Sequence, residues 1–430
     1  CRRSQQRLHR RLHWEAWADR GIDTLNGLYG RGQQSQVPPS AAQRPRVDSL
    51  RNAYRLVGDP LAHFCRKDAL SELLAHTSVY ADSNFNVVPF SKELVSWPSV
   101  NQSHVMLLDC LGRADQEWFR EWRTQMLRPV AEARALRSVR GLKRPYVDPS
   151  LLGRPRTYAD FLFRLMDSNM LRWTLANGRS HSIAPFFVGK MDIDGEVTKQ
   201  RLIFDTRLVN LLFGDPPLTR LASAGAMSRF ETNSEMDFYI GSGDLECCFY
   251  HLHLDDELGE LFTLPAIRAQ WLGLAQVQWT TVTADTLILP CLSILPMGWS
   301  CALLLRQLVT ANALLRSGIP LAQCAQDGRS GVVVSDSDTI GAAAYVDNYA
   351  TFGHDATKVD AALRDINDTL RVGGPVVHDV QGASCDCIFD GLESRERGHL
   401  VAVSKQRTLR LRGALEEVTE RNYVSRTVLR

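Results

Sequence analysis

The sequence predicts an α+β fold, and three observations predict it. Short apolar runs bounded by Gly, Pro, Asn and Asp recur through the second half of the chain. Longer stretches with apolar residues at helical spacing, at 300–316 and 356–371, stand between them. Several neighbouring apolar runs are joined by only a few polar residues, which favours hairpins over a regular strand–helix alternation. With 430 residues, of which 44% are hydrophobic and 23% charged, the chain can bury enough surface for two or three domains.

The elements follow in order. Residues 1–30 read as a basic amphipathic helix and residues 30–46 as a Gly/Gln/Ser/Pro-rich linker. Residues 50–80 and 112–140 read as helices, with Leu70, Leu73 and Leu74, then Trp118, Trp122 and Leu127, at spacings of one face. Trp118 and Trp122, four apart, suit a core; stacking on bases is their alternative use. Gly141–Arg156, with Pro145, Pro149 and Pro155, is the expected domain boundary, leaving 1–150 as a helical N-terminal region. Tyr158–Leu175 reads as a helix. Strand candidates follow at 183–190, 201–205, 237–240, 248–254, 286–295, 343–346 and 349–352, with no internal repeat.

Composition narrows the function classes. Ten cysteines lie scattered without CxxC spacing, which predicts reduced thiols and argues against a zinc module or a disulfide framework. No apolar run approaches the roughly 20 residues of a membrane helix, and no signal peptide is legible, so an intracellular protein without membrane contact is expected. A start at Cys1 and an end at Arg430 inside a helical pattern read as a fragment of a longer frame.

The net charge of +2 hides segregation. Residues 1–60 carry eleven Arg against five acids, and residues 395–430 nine Lys or Arg against four. Glu231–Glu260 holds nine Asp or Glu and no Lys or Arg. An acidic centre between basic flanks suits a metal-dependent enzyme acting on nucleic acid; a solvated acidic face is the bland alternative.

Four segments carry chemistry. The most informative is Tyr345-Val346-Asp347-Asn348 between Gly341–Ala344 and Tyr349–Gly353, read as a hairpin with an Asp347-Asn348 turn and a carboxylate at its tip. The second is Gly243-Asp244-Leu245 with Phe249 five residues on, an acid ending a strand followed by an aromatic. The third is Leu295-Pro296-Met297-Gly298, where Gly lets a backbone approach a ligand before an apolar helix. The fourth runs from Phe187–Lys190 through a polar turn to Lys199–Asn210, a cationic hairpin in which Lys190 and Arg201 face each other.

Together these segments resemble the polymerase domain of reverse transcriptases of the retrovirus and long-terminal-repeat retrotransposon type, over about residues 155–400. The resemblance implies a right-hand polymerase fold: fingers mostly in 155–235, palm in 236–395 with a fingers insertion near 260–290, and the start of a thumb from 396 to 430. It implies template-directed addition of deoxynucleotides to a primer 3′-hydroxyl on an RNA or DNA template, with two Mg²⁺ (or Mn²⁺) ions. Asp244, Asp347 and the Leu245 carbonyl would hold metal. Arg201 and Lys190, with Lys199 as competitor, would grip the triphosphate; Met297 and Gly298 would lie against the nucleotide, and Phe249 would crowd a ribose 2′-hydroxyl. Phe389-Asp390-Gly391-Leu392 resembles the primer grip, with Asp390 and Gly391 at its turn. RNase H and integrase motifs are not legible.

Two positions depart from that family. Asn348 replaces the second Asp of the hairpin, which removes one charge from the catalytic cluster, and Met297 replaces a Gln. Residues 317–341, rich in Gly, Ser and Asp, read as a surface loop inserted before the hairpin. A decayed or repurposed nucleic-acid-binding protein is the alternative function.

Overall fold

The computed structural model describes residues 87–403, except 99–103, 143, 192–196, 234, 374, 390–391 and 399. All of these belong to the compact unit Arg66–Arg430. The helices expected at 1–30 and 50–80, the linker at 30–46 and the basic segment 404–430 lie outside the described residues.

The architecture mixes helices with mainly antiparallel strands. Its principal elements are α1 (Val130–Arg140), α2 (Pro155–Asp167), β1 (Leu171–Leu175), β2 (Ala184–Met191), β3 (Val197–Asp205), β4 (Tyr239–Glu246), β5 (Leu287–Leu292), α3 (Ala302–Arg316), β6 (Cys324–Ala325), β7 (Gly341–Tyr345), β8 (Asn348–Gly353), α4 (Ala356–Val372) and β9 (Val376–Ser384). A five-stranded sheet in the order β6-β7-β8-β4-β9 forms the centre; a sheet of Val87–Val88, β2 and β3, and another of β1, β5 and Ile267–Arg268, accompany it.

Local chemistry explains the helices against the central sheet. Asp355 caps α4 by accepting from the Thr357 and Lys358 amides, and Val359, Leu363, Ile366 and Leu370 form its buried stripe. The Leu363 and Val359 side chains pack so closely on β4 that a Cβ at Gly241 would meet them at 3.1–3.3 Å. Helix α3 is apolar nearly all round, and its buried residues include Leu304, Leu305, Val309, Ala313 and Leu314. Such a helix must lie inside the molecule.

Several expectations are corrected. The helix expected at Tyr158–Leu175 ends at Asp167; Asn169 takes a left-handed conformation and the chain turns into β1, which pairs with β5. The strand expected at 248–254 shrinks to Leu252–His253, because Cys247–Tyr250 form a turn with Cys247 at φ 48°. Residues 317–341 are more than a surface loop: Cys324 and Ala325 extend the central sheet in parallel with β7, and Val333–Val334 pair with Glu231–Thr232. Buried Val332 and Val334 explain why the segment folds inward. Leu107, Phe119 and Trp122, N-terminal to the expected boundary at Gly141–Arg156, share one buried cluster with Phe249, Leu295 and Leu305. Trp122 is a core residue.

Among the described residues no helix is long and apolar enough to cross a membrane, and eight cysteines are free.

Candidate active site

Strand pairing sets the carboxylates side by side. β8 runs antiparallel to β4 with Tyr349 opposite Gly243 and Ala350 opposite Ser242, so Asp244 on β4 lies at the end of the sheet where the β7–β8 hairpin turns. The close approach needs glycine: a Cβ at Gly243 would stand 2.4 Å from the Tyr349 hydroxyl, which donates to Asn367 of α4. Tyr349 is fully buried, so this contact fixes the register of β8.

The hairpin tip differs from the expected one. Tyr345 pairs with Asn348, so the turn residues are Val346 and Asp347, and Asn348 is the first residue of β8. Val346 sits at φ 58°, which a β-branched side chain adopts only under constraint. The constraint comes from α3. Val346 N–H donates to Gln307 Oε1 at 2.7 Å, its carbonyl accepts from Thr310 Oγ1 at 2.5 Å, and Gln307 Nε2 donates to the carbonyls of Ala344 at 3.0 Å and Arg220 at 3.2 Å. Gln307 and Thr310 are buried. Two buried polar side chains of α3 thus hold Asp347 at the tip, a role that no motif in the sequence announces.

Both carboxylates are half-buried. Burial raises the Asp244 carboxyl above its ordinary value, the charge of Asp347 raises it further, and His378 opposes them. Asp379 adds a further raising charge; His378 stands opposite Asp244 on β9, where the strand bulges. Asp244 Oδ1 accepts from the Leu245 amide at 2.7 Å, and Asn348 Nδ2 donates to Asp347 Oδ1 at 3.3 Å. Two repelling acids define a place that favours a cation. Among the described residues no group of three His, Cys, Asp or Glu is arranged to hold a metal ion, so a cation here would rest on two carboxylates and other oxygens.

The Leu295–Gly298 loop is tied to the segment after β3. Phe204 N–H donates to the Met297 carbonyl at 3.2 Å, and Thr206 Oγ1 and Asn210 Nδ2 donate to the Gly298 carbonyl, the latter at 3.0 Å. Asn210 Oδ1 accepts from Ser300 N at 2.9 Å. Gly298 has φ 120° and a Cβ would lie 2.4 Å from the Phe204 carbonyl, so only glycine fits. Asp205 is buried yet its carboxyl is lowered, because against the desolvation of burial stand Arg207 and the backbone amides of Tyr146 and Arg207. Phe249 is buried in the core, and the neighbouring Tyr250 hydroxyl donates to the Leu202 carbonyl, joining the turn after β4 to β3.

The expected facing of Lys190 and Arg201 is corrected. The register pairs Lys190 with Lys199 and Val188 with Arg201, so the two cations are one pair of residues out of step. Lys199 and Arg201 are exposed. Asp390 and Gly391 lie outside the described residues, although Phe389 and Leu392 beside them are paired.

Another polar group lies beside α3. His251 is fully buried and His253 partly so, on either side of Leu252, which pairs with Val105. His253 Nε2 is 2.8 Å from His104 Nδ1. Burial, then the charge of His104, lowers both imidazoles to about 4; Arg306 of α3 adds to the shift at His251. Arg306 is itself fully buried, and its guanidinium nitrogens have no hydrogen-bond partner among the described residues.

No protein-family model and no curated protein matches the chain.

Proposed function

We propose that the chain is a reverse-transcriptase-type polymerase that adds deoxynucleotides to a primer 3′-hydroxyl on a nucleic-acid template, as part of a retroelement. The observation that carries the reading is the pairing of β4 with the β7–β8 hairpin, which brings Asp244 beside Asp347 although 103 positions separate them in the sequence. In this reading the five-stranded sheet is the palm of a right hand and the β2–β3 hairpin belongs to the fingers. The donor set suits Mg²⁺, which takes one or two protein carboxylates and completes its shell with substrate phosphates and water. When bound, a pair of such ions would activate the primer hydroxyl and neutralise the triphosphate.

The chain's own residues then position and exclude. Asp244, Asp347 and the Leu245 carbonyl would hold the ions, and Asn348 would offer an amide oxygen without charge. Exposed Arg201 and Lys199 supply cations for phosphate oxygens on the same hairpin as Lys190. The missing side chain at Gly298 lets the Leu295–Gly298 loop dock on the Phe204 carbonyl and so fixes the loop, and the edge of Phe249 that stays accessible would be the bulk that disfavours a 2′-hydroxyl. Phosphoryl transfer asks little more of a protein than positioning and charge neutralisation.

Primer extension on an RNA template with deoxynucleotides and Mg²⁺ or Mn²⁺ tests the reading. The parent chain is expected to extend the primer, Asp244→Ala to lose extension by at least about a thousandfold, and Phe249→Val to accept ribonucleotides. A second reading, binding without polymerisation, rests on Asn348. Silence of the parent with gain of extension in Asn348→Asp would favour it, and silence of all variants would remove the polymerase altogether.

A further inference from the structure

Helix α1 and the loop after it form a surface that the polymerase site does not use. Residues 128–156 contain eight Lys or Arg and two acids. Both acids are engaged: Glu132 pairs with Arg128, and Asp148 is buried, capping the next helical turn through the Ser150 amide. Arg134, Arg140, Arg144, Arg154 and Arg156 are exposed, and none forms an ion pair among the described residues. Basic residues in the last turn complement the helix dipole, which accounts for Arg140 but not for Arg144, Arg154 or Arg156.

The helix itself lacks packing. Of its eleven residues only Ala133 is buried, while Val130 and Val139 are 65% and 84% exposed. A helix this short is marginal in water without a packed face, so an occupant that covers it would stabilise it. The loop then leads towards the candidate site: the Tyr146 amide donates to Asp205 Oδ2 at 2.5 Å, and Asp205 holds Arg207 at 2.8 Å. The loop that carries Arg144 is thereby fastened to the end of the strand that carries Arg201.

We propose that Arg134, Arg140 and Arg144 form a docking track for the phosphate backbone of a nucleic-acid strand, outside the polymerase centre. The inference rests on the polymerase reading for the identity of the polyanion, and on charge for the surface. Exposed guanidinium groups without an acidic partner among the described residues suit phosphates, which they grip bidentately and without sequence preference. The chain's own residues 1–60, with eleven Arg against five acids, would be repelled.

The test is fluorescence anisotropy with a labelled uridine RNA homopolymer, titrated between about 50 and 200 mM salt. Arg134→Gln, Arg140→Gln and Arg144→Gln combined are expected to weaken binding at least about tenfold and to reduce the slope of log affinity against log salt by about two, as three lost phosphate contacts require. The corresponding triple Lys variant keeps the charge and should keep most of the slope. A parent that binds RNA and a Gln variant that binds it with the same affinity and slope would overturn the track and leave the polymerase standing. A Lys variant as weak as the Gln variant would make the effect structural and overturn it too. Loss of binding to a glutamate homopolymer with RNA affinity retained would make the surface a protein-docking face instead. A parent chain that binds no RNA would remove the polymerase reading together with the track.

Discussion

Two of the described hairpins that turn through non-glycine residues with positive φ are held in opposite ways. At the β7–β8 tip Val346 is 7% exposed, takes the left-handed conformation at the first turn position alone, and has both backbone groups bonded to side chains of α3. In the hairpin Gln276–Thr281 the turn residues Gln278 and Trp279 have φ 47° and 66°, and Trp279 is 98% exposed. Both positive values in sequence correspond to the turn whose twist matches the flanking strands, usually made with Asn-Gly. The first turn is imposed by the interior; the second follows from its own two strands. Backbone strain beside a chemical site is thus paid by packed polar groups, whereas the same strain on a surface hairpin has no support beyond the ladder.

Acid loads the interior side of this comparison hardest. His251, beside Arg306 on the helix that supports the buried tip, stays neutral in the folded chain until about pH 4, while the unfolded chain takes up the proton near 6.5. The contribution of His251 is therefore full above pH 6.5, falls as pH drops from 6.5 to about 4 and is constant below, a loss of about 3 kcal/mol. Half-buried His253 contributes in the same direction and less, because solvent screens it. Urea midpoints between pH 7.5 and 4.5 read this directly, and a flat profile would mean that the imidazoles are not buried as described.

Removing the clamp comes next. Gln307→Leu leaves the Val346 amide buried without a partner and the Ala344 carbonyl with the Ala222 amide as its remaining donor, an expected loss of about 2–3 kcal/mol in equilibrium unfolding. In the polymerase reading extension should fall more steeply than binding, since the tip and not the template surface moves. Thr310→Val removes the bond to the Val346 carbonyl, together with the longer contact to the Arg306 carbonyl one turn back, and is expected to destabilise by about 1–2 kcal/mol. A loss no larger than that of an exposed Thr→Val substitution would detach the clamp from the turn. The smallest effect belongs to the exposed hairpin: Gln278→Asn with Trp279→Gly should stabilise by about 0.5–1 kcal/mol, because these residues reach positive φ without strain. A destabilisation would indicate that Trp279 has a partner.

The candidate residues could be named from the chain because the signals that single them out are local. Asp244, Asp347, Gly298 and Phe249 stand in short segments whose residue types are unusual together, and the apolar periodicity of α3 and α4 marked both helices within two residues of their bounds. Less legible was the exact turn. Asp and Asn are common turn formers, so Asp347-Asn348 was the natural choice. The contacts of Tyr349 with Gly243 and Asn367 shift the turn by one residue. Pattern also failed at Cys248–Leu254 and Leu171–Leu175, since short apolar runs suit helix, strand or turn alike and only the partner decides.

By itself the sequence determined the mixed α and β character, the positions of the two long helices beside the central sheet, and the residue types available for chemistry, because these depend on periodicity and on the nature of individual side chains. Tertiary structure alone decided that β4 lies next to the β7–β8 hairpin, that Lys190 pairs with Lys199, and that Gln307 and Thr310 reach Val346. The physical reason is range: hydrogen bonds between residues 36 and 39 positions apart, and a strand register between residues more than a hundred apart, are chosen by packing of the whole core, which no window of the chain contains.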